Sequence, residues 1–252
     1  MRHNSILVRY SEIGIKSRQT RKRWEKILIR NIREYLKVDD IICSKGRIIL
    51  LTERKCDLKN IFGIASYSPA IKVDQDIEKI KKIAEEIYSG KKFRVSAKRI
   101  TKEFPYPSRR VNEIIGEALV RRGGEVDLEN FEEEIGIEFL DNYAYIFKER
   151  IKGPGGLPVG VQGKVLCFIE DERDIKAGYM MLKRGCEIDY CGKKPVELYK
   201  YSPGHEIRKY NRDTEYLFAV SGKNLDDFEE LIKTKRKIEK EYGLKTLFPV
   251  LV

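Results

Sequence analysis

The architecture of the first part of this chain follows from Ser5-Ile-Leu-Val-Arg-Tyr10 and from the longer segment that runs from Arg18 to Lys37. The six-residue stretch is mostly apolar and predicts a β-strand. In the longer segment apolar residues recur every three or four positions, which predicts an amphipathic helix. Its predicted buried stripe is Trp24, Ile27, Leu28, Ile32, Tyr35 and Leu36.

The residues that follow complete a recognisable order of elements. Two apolar runs around Lys45-Gly46 predict a hairpin, residues 57–62 a short helix, and residues 65–73 a strand. The resulting order, β-α-β-β-α-β, is that of a ferredoxin-like domain.

The rest of the chain divides at a glycine-rich stretch. Before it, residues 76–88 and 108–122 predict helices, and residues 93–98, 136–140 and 143–147 predict strands. After it, strands at 165–169, 187–190, 216–220 and 247–251 alternate with helices at 174–184 and 226–242, which indicates a small parallel sheet. We therefore predict an α/β protein with an α+β N-terminal half. Its domains are 1–73, 74–152 and a Rossmann-like 165–252, joined by a linker at 153–164.

The positive charge of the chain is concentrated near its start. Residues 1–72 carry 17 basic and 7 acidic side chains, whereas the whole chain has a net charge of +11. A local positive field attracts polyanions such as nucleic acid, although a solvated basic face is the alternative. Five cysteines and two histidines show no zinc-ligand spacing, and no apolar run is long enough for a membrane span or a signal peptide. We therefore expect a cytoplasmic protein, with a composition typical of thermophiles.

Several motifs, in order, resemble one family. The chain is similar to the ThiI-type tRNA sulfurtransferases, or 4-thiouridine synthetases, which carry an RNA-binding THUMP domain. The matching segments are Val8–Lys16, Phe62–Ala70, Phe93–Arg99, Phe104-Pro-Tyr106, Val126-Asp-Leu128 and Gly155–Gly160. The resemblance implies that the ferredoxin-like domain and a THUMP domain at 74–152 grip tRNA near its acceptor end. It also implies a third domain that is a PP-loop ATPase, which adenylates a uridine before sulfur replaces the activated oxygen.

Basic residues cluster in both predicted RNA-binding domains. Such clusters are typical of surfaces that contact a phosphate backbone. The predicted RNA-binding residues are Arg9, Lys16, Arg18, Arg21, Lys22, Arg23, Arg94, Lys98, Arg99, Lys102, Arg109 and Arg110. Phe104 and Tyr106 either stack on unpaired bases or pack in a core.

The nucleotide loop departs from the family pattern. The family reads roughly Ser-Gly-Gly-Ile-Asp-Ser-Pro-Val-Ala before the helix that contains Ala177–Gly185. Here Ile169 replaces the serine, Glu170 and Asp171 replace the glycines, and Arg173 replaces the acidic residue. Phosphate loops need small residues so that backbone N–H groups can approach the anion. Each added carboxylate about 4 Å from a phosphate costs roughly 1–4 kcal/mol.

We therefore expect a tRNA-binding protein that lacks ATP-dependent adenylation, with no catalytic residue, metal or cofactor of its own. Only 88 residues follow Lys164 and the last cysteine is Cys191, which also fits lost chemistry. The alternative is an active sulfurtransferase that uses ATP and Mg²⁺, alone or with a partner subunit. Further alternatives are a separate tRNA-modification partner, a homodimer, and an assembly factor whose C-terminal sheet pairs with another protein. The helix at 226–242 ends in a basic stretch and is a candidate for docking a partner or more RNA, and the acidic loop has an alternative interpretation as a hard-cation site.

Overall fold

A computed structural model describes residues 2–10, 12–38 and 40–249 of the protein. Its strands are β1 Ser5–Tyr10, β2 Ile41–Ser44, β3 Arg47–Leu50, β4 Ile64–Asp74, β5 Phe93–Arg99, β6 Glu133–Leu140, β7 Tyr143–Phe147, β8 Ile151–Lys152, β9 Lys164–Ile169, β10 Glu187–Gly192, β11 Ala219–Val220 and β12 Thr246–Leu247. Its α-helices are α1 Arg18–Leu36, α2 Ile77–Ile87, α3 Ser108–Arg121, α4 Glu172–Lys183 and α5 Phe228–Tyr242.

Contacts divide the chain into two compact units. The first unit contains Met1–Arg9, Val38–Cys56 and Ser66–Lys152, and the second contains Tyr10–Lys37, Asp57–Ala65 and Gly153–Val252. Each unit therefore draws on separate parts of the sequence, and α1 belongs to the same unit as the last hundred residues.

The first unit is built on one mixed sheet. The strand order is β2-β3-β1-β4-β7-β6-β5, and β8 also pairs with β4. The hairpins β2–β3 and β6–β7 are antiparallel, whereas β5 and β6 are parallel with α3 between them in sequence. Helices α2 and α3 cover one side of the sheet, where Ile80, Ile115 and Phe139 belong to a continuous apolar core.

The second unit contains the predicted parallel sheet. Its order is β10-β9-β11-β12, and every pair of neighbours runs in the same direction. Two neighbouring parallel strands need a long crossover connection, which is usually a helix, so the alternation of strands and helices in the sequence is typical of this arrangement. Helix α4 packs on it through Ala177 and Leu182, which share a core with Val165 and Ile188. The prediction of a small α/β domain is confirmed.

One local prediction is wrong, one element was not predicted, and one predicted strand is observed only in part. Residues 57–62 form turns instead of a helix, because Leu58, Ile61 and Phe62 are all buried and the chain turns at Gly63, whose φ is +97°. Residues 12–15 form an unpredicted 3-10 turn. The predicted last strand, 247–251, is observed only as β12, and its residues 250 and 251 lie outside the described part. No helix of the described chain is long and apolar enough to cross a membrane.

Candidate functional site

Helix α1 presents an exposed row of cations. Its N-terminus is capped by Ser17, whose Oγ accepts a hydrogen bond from the Thr20 backbone N–H. Because Trp24, Leu28 and Ile32 form the buried stripe, the basic side chains lie on the opposite face. Arg30 is exposed, but its guanidinium lies 2.9 Å from His205 Nε2. The other exposed cations of α1 that make no ion pair with any described carboxylate are Arg18, Lys22, Arg23, Lys26 and Arg33. They extend over about 22 Å of helix at 1.5 Å per residue, and we call them the α1 cation row.

Lys16 and Arg21 support the entry to α1 and are only half-exposed. The Lys16 Nζ lies 5.2 Å from the centre of the Trp24 ring, and the Arg21 guanidinium donates to the Gly14 carbonyl. The structure therefore brings these two predicted residues beside the row, with part of their bonding capacity already used.

Arg9 is a correction to the predicted RNA-binding set. Its side chain is buried in the first unit, where Nε donates to Glu138 Oε1 at 2.7 Å and Nη1 donates to Ser68 Oγ at 3.0 Å. The Arg47 Nε binds the other Glu138 oxygen at 2.6 Å. Burial would raise the pKa of Glu138, but these two guanidinium charges overcome it and hold that pKa below its ordinary value. Since Arg9 is 6% exposed, it is not available to RNA.

We call the six predicted basic residues of the first unit's second half the THUMP-like cluster: Arg94, Lys98, Arg99, Lys102, Arg109 and Arg110. Some of these side chains have no carboxylate partner, and the others are held by neighbouring groups. Lys98 and Lys102 are exposed and have no carboxylate partner among the described residues. Arg99 donates to the Phe104 carbonyl at 3.2 Å, which fixes the loop after β5.

The three other arginines of this cluster are paired. Arg94 binds Glu134 at 3.0 Å and lies over the Phe131 ring. Arg109 and Arg110 both reach Glu113 at 3.2 Å and lower the pKa of its carboxyl group, with the Arg110 hydrogen bond as the largest cause. Exposed pairs of this kind are weak, so these two arginines can exchange Glu113 for a phosphate.

The two aromatic residues of the loop after β5 have different roles. Phe104 is 3% exposed and stacks on Phe139, with 4.3 Å between the ring centres, so it packs in the core. Tyr106 is 38% exposed and touches Phe104 edge-on. Of the two candidates for base stacking, only Tyr106 is on the surface.

The loop between β9 and α4 is closed by the chain's own carboxylates. Ile169 is buried at the end of β9, and Asp171 caps α4 by accepting hydrogen bonds from the backbone N–H groups of Arg173 and Asp174. The Arg173 side chain returns to Asp171 at 3.0 Å. Partial burial opposes ionisation, yet the hydrogen bonds from Arg173 lower the pKa of Asp171.

Asp174 lies at the centre of this loop and is 2% exposed. Its Oδ2 accepts hydrogen bonds from the backbone N–H groups of Glu170 at 2.8 Å and Asp171 at 3.2 Å. Its Oδ1 accepts from the Gly222 N–H at 2.6 Å and from the Ser221 hydroxyl at 3.1 Å. Four donors thus converge on one carboxylate, and we call them the Asp174 cradle. A Cβ at Gly222 would overlap the Arg173 backbone, so glycine is required for this approach.

Lys223 offsets part of the negative charge around the cradle. Its Nζ lies 2.8 Å from Glu230, 3.4 Å from Glu170 and 3.8 Å from Asp171, and the hydrogen bond to Glu230 raises the pKa of Lys223. Within the described ranges no three His, Cys, Asp or Glu side chains form a group that could hold a metal ion.

Sequence reasoning missed Ser221, Gly222 and Lys223, although a signal was present. They directly follow β11, which pairs with β9 in parallel. Because the carboxyl ends of neighbouring parallel strands meet at the same edge of a sheet, residues after β11 are expected beside the β9–α4 loop. The element at 216–220 was predicted, but its position next to β9 was not.

Two family models match the chain, the ThiI ferredoxin-like domain over residues 5–68 and the THUMP domain over residues 73–149. A protein of Thermococcus kodakarensis named "Probable tRNA sulfurtransferase" is 38% identical, and the match covers 94% of this chain and 68% of that protein. One of the same name from Methanocaldococcus jannaschii is 39% identical over 92% of this chain and 68% of its own length.

Two solved structures are similar over nearly the whole chain. PH1313 from Pyrococcus horikoshii is 36% identical with a TM-score of 0.87, and the match covers 99% of this chain and 95% of that one. A 4-thiouridine synthetase solved as an RNA complex with bound ATP is 27% identical with a TM-score of 0.71, covering 96% of this chain and 72% of that one.

Proposed function

Because this chain belongs to the ThiI-type tRNA sulfurtransferase family, we propose that it is a member that binds tRNA but does not adenylate it through its own β9–α4 loop. The observation that carries the second half of this proposal is the Asp174 carboxylate, which occupies the backbone N–H groups that a phosphate would need.

The α1 cation row supports the first half. Five exposed cations without carboxylate partners form a surface to which a phosphate backbone can bind by releasing its counterions. The free Lys98 and Lys102 of the THUMP-like cluster provide a second set in the other unit. If the row alone contacts about five phosphates, the logarithm of the binding constant falls with the logarithm of salt concentration with a slope of roughly −4.

Fluorescence anisotropy with labelled tRNA at several salt concentrations tests this half. We expect salt-sensitive binding tighter than about 10 μM in low salt, which nonspecific contacts alone can reach. Binding that is absent at that concentration would contradict the proposal, whatever the family relationship.

The residues of the β9–α4 loop do not fit a nucleotide phosphate group. The amides of Glu170, Asp171 and Gly222 already bind Asp174, and two more carboxylates, Glu170 and Asp171, lie at the same loop. A bound polyphosphate would have to displace a buried carboxylate and then lie beside these two negative charges, which repel it. We therefore assign no nucleotide-dependent step to this loop.

Isothermal titration with ATP and Mg²⁺, with and without tRNA, tests the second half. We expect no heat of binding up to about 1 mM ATP, which corresponds to a binding free energy weaker than about −4 kcal/mol. Saturable binding, together with ATP-dependent sulfur incorporation into tRNA, would support the alternative instead.

That alternative is an active tRNA sulfurtransferase that uses ATP, alone or with a partner subunit. It is favoured by the names of the relatives and by the ATP bound in the similar 4-thiouridine synthetase. A separate tRNA-modification protein and a homodimer are additional proposals. A second protein that co-purifies with this chain and tRNA would support the partner. Light scattering of the pure protein measures its mass and so tests the homodimer.

A further inference from the structure

We infer that the exposed face of α5 is a second RNA-binding surface of this protein. This α5 face consists of Phe228, Lys233, Arg236, Lys237 and Lys240, all of which are exposed. The inference rests on the tRNA binding proposed above, and it assigns RNA contacts to the last third of the chain, outside both domains that the family models match.

The four cations of the α5 face are not balanced by neighbouring acids. None of them makes an ion pair within the part of the chain that the structure describes. Two of the four glutamates of α5 are engaged elsewhere: Glu230 binds Lys223 at 2.8 Å, and Glu239 accepts from the Thr246 N–H and lies 3.9 Å from Lys235. The other two, Glu229 and Glu241, are exposed and only partly offset the positive charge of the face. Residues 233–245 carry six basic and two acidic side chains, so the uncompensated charge points outward.

Stabilisation of the helix dipole does not account for this placement. Cations stabilise the C-terminal end of a helix, but the effect falls off within the last turn. Helix α5 ends at Tyr242, whereas Arg236 and Lys233 lie six and nine residues before that end. Lys233 and Lys240 are about 10 Å apart along the axis, a distance that covers about three phosphates of one duplex strand.

Phe228 indicates that the polyanion is a nucleic acid. Its side chain is 58% exposed, and it borders a shallow depression of about 370 Å³ together with Glu229, Ile232, Lys233 and Arg236, so two cations and one carboxylate line it. An unpaired base can stack on Phe228 while the adjacent phosphates reach the two cations, a combination that is typical of single-stranded RNA binding. Membrane-binding helices instead present a broad apolar face, and here Phe228 is the one large apolar side chain of α5 that is strongly exposed within the described residues.

The test compares two variants with a matched control in the 252-residue chain. The α5 variant is Lys233→Glu, Arg236→Glu and Lys240→Glu. The control makes the same change in net charge at exposed residues of the same unit, Lys193→Glu, Lys209→Glu and Arg212→Glu. Phe228→Ala removes the aromatic ring alone. Thermal unfolding first establishes that each variant folds like the wild type, and a Lys233→Gln, Arg236→Gln, Lys240→Gln variant replaces the α5 variant if charge reversal alone destabilises it.

With tRNA as the probe, we expect the α5 variant to bind at least tenfold more weakly than the control and to lose about 2 from its salt slope, since each lost phosphate contact removes roughly 0.7–0.9. Phe228→Ala should weaken binding about tenfold without changing the slope, because stacking carries no counterions. An α5 variant that matches the control in affinity and slope overturns the inference. So does an α5 variant that loses binding only to anionic phospholipid vesicles.

The outcome for wild type separates this inference from the proposed function. If wild-type protein binds no tRNA, the proposed function itself fails. If wild type binds and reversal of the α1 cation row weakens it while the α5 variant equals the control, only the α5 inference fails.

Discussion

The four hydrogen bonds of the Asp174 cradle predict how much the free energy of unfolding falls when the carboxylate is replaced. Asp174→Asn keeps the shape of the side chain but replaces one carboxylate oxygen with an NH₂ group, which faces N–H or O–H donors. Two hydrogen bonds to a charged acceptor are lost, each contributing about 1.5–3 kcal/mol, and buried donors remain unpaired. We therefore expect the free energy of unfolding of the second unit to fall by about 3–5 kcal/mol.

Urea unfolding followed by the fluorescence of Trp24, the single tryptophan, reports this change because Trp24 belongs to the same unit. The matched control is Glu172→Gln, which removes an exposed carboxylate from the first turn of α4 and should change the free energy by less than about 0.5 kcal/mol. A loss below about 1 kcal/mol in Asp174→Asn would refute the assignment of Asp174 as the anion that holds the loop together.

A second variant tests the anion directly. Asp174→Ser leaves the amides of Glu170, Asp171 and Gly222 without an acceptor but opens space beside them. Inorganic phosphate at 100 times its dissociation constant would then restore about 2.7 kcal/mol of stability, whereas it should not stabilise the wild type. Equal effects of phosphate on both proteins would indicate that these amides do not form an anion site.

Further predictions concern the α1 cation row and the buried ion pair of the first unit. Lys22→Glu, Arg23→Glu and Lys26→Glu together should weaken tRNA binding at least tenfold, reduce the salt slope by about 2 and leave thermal unfolding unchanged, since all three are exposed; unchanged anisotropy titrations would exclude the α1 cation row. Glu138→Gln should lower the free energy of unfolding of the first unit by about 3–5 kcal/mol in urea, because it leaves the buried Arg9 and the partly buried Arg47 without a counter-charge; a loss under about 1 kcal/mol would contradict this. The pKa of Glu138 is lower in the folded protein than its unfolded value of about 4.3, so the unfolded state binds more protons in that range and wild-type stability should decrease as pH falls below about 4. Glu138→Gln should remove that part of the pH dependence, and identical pH profiles in the two proteins would show that another group causes it.

Local sequence patterns determined the elements and the general chemistry. The spacing of Trp24, Leu28 and Ile32 predicted α1 to within one residue of its end, because helical periodicity is a property of adjacent turns. Strand and helix alternation after the linker likewise predicted the parallel sheet, and the excess of cations in the first third predicted a polyanion partner. The sequence alone also showed that Glu170 and Asp171 stand where the family pattern has two glycines.

Only the tertiary structure decided whether each charged side chain is exposed to solvent or buried against a partner. Arg9 and Lys22 are both basic residues near the start of the chain, yet one is buried against Glu138, 129 residues away, and the other is exposed. In the same way, the donors to Asp174 come partly from Ser221 and Gly222, 47 and 48 positions further along. Periodicity encodes which face of an element is buried, but a charge is paired by whichever groups the folded chain brings within a few ångströms, and sequence separation carries no information about that distance.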